Sequence, residues 1–138
     1  MTVSESVIAW LKGFSLGEHV MKSIDTDIQR AEVEAYALTK EPVRNVKSYL
    51  SGRKEYTDHF SLTARLSSQV NSERIENTGF GEALENWVLE QNTKGNLPLV
   101  DNANVSEVSV TTPFFIGRTE SNNSVYSMTI AITYAKER

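Results

Sequence analysis

The chain has 138 residues, 39% of them hydrophobic and 23% charged, the balance of one folded domain rather than a disordered segment. Eighteen acidic against 14 basic residues leave a net charge of −4, which disfavours non-specific binding of the whole molecule to nucleic acid or anionic membrane. Cysteine is absent, so disulfides, thiolate zinc sites and cysteine nucleophiles are excluded.

The first element reads as a helix. Val3, Val7, Ile8, Leu11 and Phe14 recur at helical spacing, and Thr2 followed by Glu5 fits a capping box. Gly13 and Gly17 bracket its end. Between Gly17 and Ile28 the pattern is ambiguous: Val20, Ile24 and Ile28 permit a helix, whereas Asp25-Thr26-Asp27 reads as a turn. From Glu32 the period shifts to two, with Val33, Ala35 and Ala37 on one face and Tyr36 and Leu38 on the other, a strand. Pro42 is expected to break the chain and open a second extended run, Val43 to Leu50, closed by a turn at Ser51-Gly52-Arg53. Tyr56, Asp58, Phe60, Leu62, Ala64 and Leu66 then alternate with polar residues, as in a sheet covered on one side.

Two helices are expected next. Asn71 or Ser72 caps a short one through Ile75, stopped by Asn77-Thr78-Gly79. Phe80, Leu84, Trp87, Val88 and Gln91 mark a second, ending near Gly95. After a loop at Asn96-Leu97-Pro98, a strand runs from Val105 into Phe114-Phe115-Ile116. Gly117 to Asn123 reads as a polar hairpin loop, and Tyr126, Met128, Ile130, Ile132 and Tyr134 alternate through a last strand. The order helix, strands, helices, strands predicts an α+β fold over residues 1–138, a mostly antiparallel sheet with helices packed on one face. No apolar run approaches the ~20 residues of a membrane span. Met1 to Ser6 lacks the features of a signal peptide, so synthesis and residence in the cytoplasm are expected.

The search for chemistry returns no catalytic, cofactor or metal site. His19 and His59 lie far apart without carboxylates at ligand spacing, and His59 reads as a solvated or hydrogen-bonded surface histidine. Asp25-x-Asp27 lacks the glycine and later glutamate of a calcium loop. Gly79-x-Gly81 does not follow a strand and is no dinucleotide fingerprint; Gly79 reads as a helix stop. Glu82, Glu85 and Glu90 read as an exposed acidic helix face. One charge feature stands out. Lys40, Arg44, Lys47, Arg53 and Lys54 place five of the 14 basic residues in a 15-residue window around the hairpin. Such a cluster either guards a sheet edge or serves as a contact arm toward a negatively charged surface or DNA.

Several stretches resemble a family of phage and prophage proteins of Gram-positive bacteria, the minor capsid or tail-terminator-like proteins. They are Ser6-Val7-Ile8-Ala9-Trp10-Leu11, Glu41-Pro42-Val43 with Lys47 to Gly52, and Phe60 to Arg65. The most specific is Glu73 to Glu82, followed by Trp87, Glu90-Gln91 and Gly95 to Pro98; Tyr126 to Ile130 with Tyr134 closes the series. Ser51 stands where the family has a turn aspartate, and Val20 to Tyr36 matches loosely. The resemblance implies a virion structural protein rather than an enzyme. Such a protein is a tail terminator, a ring of identical subunits, typically six, at the head-proximal end of the tail tube. It stops tube growth and joins the head, with the tail-tube protein and a head-completion or neck protein as partners, DNA passing through the lumen and no membrane contact. The basic segment would meet the neighbouring subunit or the lumen. Two other readings remain open: a head-completion or stopper protein of the neck, and, from a different class, a small-ligand-binding domain with a pocket between helix and sheet.

Overall fold

A computed structural model describes residues 2–16, 19–20, 24–26, 35–68, 71–119 and 123–136. The elements are α1 (Val3–Leu11), β1 (Ser15–Leu16), β2 (His19–Val20), β3 (Ile24–Thr26), β4 (Ala35–Ser48), β5 (Lys54–Ser67), α2 (Asn71–Lys94), β6 (Ala103–Thr119) and β7 (Asn123–Lys136). β3, β4, β5, β7 and β6 form one sheet in that order, antiparallel throughout except that β3 runs parallel to β4; β1 and β2 make a separate short ribbon. The α+β architecture with a mostly antiparallel sheet is therefore what the chain adopts.

Alternation along the strands decides which face is covered. Phe60, Leu62, Ala64 and Leu66 of β5 and Tyr126, Met128, Ile130, Ile132 and Tyr134 of β7 are all buried on one face. They form a single cluster with Val7 and Leu11 of α1 and with Phe80, Leu84 and Val88 of α2. Burial of Leu, Ile or Phe side chains contributes about 1.5–3 kcal/mol each, so this layer is the main source of stability. Thr2 caps α1 with the expected reciprocal pair: its hydroxyl accepts from Glu5 N–H at 3.1 Å, and its own N–H donates to Glu5 Oε1 at 3.3 Å. Trp10 of α1 lies 4.7 Å from Trp87 of α2, ring centre to ring centre, and donates to the Asn96 carbonyl at 2.7 Å. The two helices are thus joined to each other as well as to the sheet.

Four expectations are corrected. First, Asp25 and Thr26 lie in β3 rather than in a turn, and His19–Val20 is also a strand; Asp27 and the residues from 28 to 34, including Glu32 and Val33, lie outside the described residues. Second, Pro42 does not divide β4. It falls in a register shift between Lys40 and Arg44, where a residue without an N–H removes no ladder hydrogen bond. Third, the two expected helices are one. The buried residues Asn77, Phe80, Gly81, Leu84, Val88 and Gln91 keep one helical face through Gly79. Asn77, which looked like part of a stop, donates instead to the Ser67 carbonyl at 2.8 Å and to the Tyr126 hydroxyl at 3.4 Å. A glycine inside a helix costs about 1 kcal/mol, less than burying the residues beyond it returns. Gly95 does end the helix, at φ +75°, with Asn96 N–H on the Gln91 carbonyl and Gly95 N–H on that of Asn92. Fourth, β6 continues through Thr119 and β7 begins at Asn123, so Gly117 to Thr119 and Asn123 lie in strands rather than in the expected loop, and residues 120–122 lie outside the described residues.

α2 does more than cover the sheet. Asn92 Oδ1 accepts from Val108 N–H at 2.9 Å and the Glu85 carboxylate accepts from Phe114 N–H, so side chains of the helix satisfy two amides of the edge strand β6. Helix and strand come together closely at Gly81, where a Cβ would stand 2.1 Å from Phe114 Cδ2. Phe114 in turn stacks on Tyr126 with ring centres 5.1 Å apart.

Candidate interaction surfaces: a basic hairpin and a groove at the opposite end

The β4–β5 hairpin closes through Tyr49 N–H to the Arg53 carbonyl at 2.9 Å and Gly52 N–H to that of Tyr49 at 3.0 Å. Gly52 sits at φ +88°, a left-handed position open to glycine, which is why the turn carries one there. Folding the strands about this turn sets Arg44 directly opposite Asp58 and Val46 opposite Tyr56.

That register produces a buried polar cluster at the hairpin base. The Asp58 side chain is fully buried. It accepts from Arg44 Nε at 2.6 Å, from Arg44 Nη2 at 3.0 Å and from the Tyr134 hydroxyl at 2.7 Å, with Lys40 Nζ at 3.5 Å. The Arg44 guanidinium also lies 5.0 Å from the Tyr56 ring centre, and Tyr56 stacks on Tyr134 at 5.6 Å. Burial pushes the Asp58 carboxyl upward, but the hydrogen bonds from Arg44 and Tyr134 and the charges of Lys40 and Arg44 outweigh it, leaving the group below the usual carboxylate range. The hydrogen bond to Asp58 raises the Arg44 guanidinium. Burial first, and then Asp58, raise the Tyr134 hydroxyl.

The five basic residues singled out in the sequence therefore divide. Lys40 and Arg44 turn inward to Asp58 and hold the hairpin to the sheet. Lys47 extends over the Tyr49 ring at 5.4 Å, while Arg53 and Lys54 are exposed at the turn. Around these cations stand apolar side chains that the sequence reading passed over: Leu50 is fully exposed at the tip, Val46 is 53% exposed and Tyr49 39%. An apolar tip ringed by cations has the composition of a contact surface, not of edge protection alone.

A second surface lies along α2 and β6. Arg74, Thr78, Glu82 and Glu85 of the helix and Phe114, Phe115 and Ile116 of the strand line an open groove of about 420 Å³. Phe115 and Ile116 are each about half exposed, and Arg74 donates to the Ser68 carbonyl at 2.8 Å. Glu82 and Glu90 are exposed as expected, and Glu90 pairs with Lys94 at 2.6 Å. Glu85 departs from that expectation, being half-buried against β6. His59 departs as well: its Nδ1 is enclosed on the outer face of the sheet with no hydrogen-bond partner among the described residues. No group of three His, Asp or Glu side chains able to hold a metal ion stands together among the described residues. No described helix is long and apolar enough to cross a membrane.

A scan against protein-family models matches none, and a comparison with curated proteins finds no significant relative.

Proposed function

We propose that this chain is a structural subunit of a phage virion, a tail terminator that assembles as a ring at the head-proximal end of the tail tube, stops tube growth and joins the head. The observation that carries the reading is the hairpin tip, where Leu50 is fully exposed among Lys47, Arg53 and Lys54 on a subunit of net charge −4. A ring subunit must offer an exposed surface to a different surface of its neighbour, and an apolar projection with a charged rim suits that purpose. The segments that resemble the tail-terminator-like family agree, since they extend in order from the first helix to the last strand.

The test is electron microscopy of a phage lacking this gene. Overlong tails are expected if the chain is a terminator. Tails of normal length beside heads that have lost their DNA identify a neck stopper instead and reject the terminator reading.

A further inference from the structure

We propose that the β4–β5 hairpin tip of one subunit inserts into the α2–β6 groove of a second copy of this chain, head to tail. This rests on the reading of the chain as a ring subunit and names the contact that builds the ring.

The sheet register keeps the two surfaces apart within one molecule. Lys54 pairs with Lys136, which pairs with Ala103, and this row lies at the hairpin end. Ala64 pairs with Tyr126, which pairs with Ile116, and this row lies at the groove end. Ten residues of β5 separate the rows, about 30 Å at the rise of a strand. The hairpin tip therefore meets a groove of this kind only on another molecule.

Chemistry then matches the surfaces. The projecting surface is an apolar knob, Leu50, beside Arg53 and Lys54; the receiving surface has an apolar wall at Ile116, which pairs with Tyr126 on the helix-covered face, beside the carboxylates of Glu82 and of Glu85, the latter also holding Phe114 N–H. Arg74, the cation of that groove, donates to the neutral Ser68 carbonyl and keeps its charge, so the groove sets two carboxylates against one cation. Lys47, Arg53 and Lys54 outnumber Glu55 on the hairpin, and Glu82 and Glu85 outnumber Arg74 in the groove, so net like charge weighs against both isologous pairings. The contact between unlike surfaces remains. A repeated heterologous contact closes into a ring when its rotation divides the circle.

The absence of cysteine makes the contact directly testable. Leu50→Cys in one copy and Thr78→Cys in another should form a mixed disulfide at least ~10-fold faster than Leu50→Cys with Leu99→Cys, an exposed position away from the groove. Ile116→Cys serves as a second acceptor. A chain carrying both Leu50→Cys and Thr78→Cys should give a ladder of multiples of 15.5 kDa. Arg53→Glu with Lys54→Glu should slow the cross-link, and Glu82→Lys on the accepting copy should restore it. Cross-linking no faster than the Leu99 control with both acceptors overturns the contact, as does predominance of symmetric Leu50→Cys dimers. Rings seen by microscopy without the mixed disulfide overturn the contact and leave the ring reading standing. A ladder from a protein whose deletion leaves tails of normal length supports the contact and removes the terminator reading.

Discussion

Arg44 and Asp58 face each other across adjacent strands, joined by two hydrogen bonds of 2.6 and 3.0 Å, with the carboxylate wholly removed from solvent. Removing the guanidinium leaves a buried charge with only Lys40 and Tyr134 to stabilise it, so Arg44→Ala is expected to cost about 3 kcal/mol. Asp58→Ala is expected to cost less, about 1–3 kcal/mol, because it takes the acceptor from the Tyr134 hydroxyl but leaves Arg44 Nη2 donating to the Tyr134 oxygen at 3.2 Å. Replacing both by alanine should cost much less than the two single losses together, and a double-mutant cycle in urea unfolding measures the difference. Charge reversal at Arg44 therefore reports on folding, and only Lys47, Arg53 and Lys54 are fit for testing the hairpin as a contact surface.

The same pair sets the acid limb of stability. A carboxyl held low in the folded state contributes stability that is present above the unfolded carboxylate pKa, about 3.9, and is lost as pH falls through the lower folded value. The native chain should therefore lose stability on acidification more steeply than Asp58→Asn. Tyr134 acts at the other end. Its hydroxyl is raised by burial and by Asp58, so its contribution is present below the ordinary tyrosine value of about 10 and declines as pH rises above it. Tyr134→Phe should flatten the alkaline limb and, because it removes one of the hydrogen bonds that hold Asp58 low, also soften the acid limb. Chemical denaturation across pH reads both limbs.

Much of the frame could be read directly from residue order. The capping box at Thr2 and Glu5, the alternation of β5 and β7 and the glycine at the end of α2 each reflect a local rule that tertiary packing left intact. The failures occur where a long-range contact outweighs a local preference. Asn77 and Gly79 resemble a helix stop until Ser67 and Tyr126 supply partners for the Asn77 amide. Asp58 resembles a polar interruption of an apolar strand face until the hairpin is folded about its turn, which puts Arg44 opposite it; that signal lay in the sequence and was missed. The groove was not legible, because it depends on how α2 lies along β6, and Gly81 shows the closeness of that approach only once Phe114 is in place.

The edge strand offers a separate check. Asn92 and Glu85 accept amide hydrogens from Val108 and Phe114, groups that an edge strand otherwise leaves open to pairing with another chain. Asn92→Ala and Glu85→Ala are each expected to cost about 1–2 kcal/mol. Amide hydrogen exchange should quicken at Val108 in the first variant and at Phe114 in the second, with β5 amides little changed, since β5 lies inside the sheet. Uniform acceleration across the sheet would instead indicate a general loss of packing.

Gly79 and Gly81, two residues apart on one helix, should respond to alanine in opposite directions. A Cβ at Gly79 meets nothing within 4 Å, so alanine there only removes the glycine's backbone freedom in the unfolded chain and its low helix propensity. Gly79→Ala is expected to stabilise the protein by about 0.5–1 kcal/mol. A Cβ at Gly81 would stand 2.1 Å from Phe114 Cδ2 and 2.8 Å from Phe114 Cβ, a clash with the base of the side chain as well as its ring, so rotation of the ring does not relieve it. The helix must then move off β6, loosening the stack of Phe114 on Tyr126, and Gly81→Ala is expected to cost about 1–3 kcal/mol despite its better helix propensity. Thermal or urea unfolding of the two variants gives the sign directly. If the close approach of α2 to β6 is what gives Gly81→Ala its cost, Phe114→Ala should reduce that cost by removing the two ring contacts while the 2.8 Å approach to Cβ remains, and the pair should be clearly non-additive; additive losses would place the strain elsewhere.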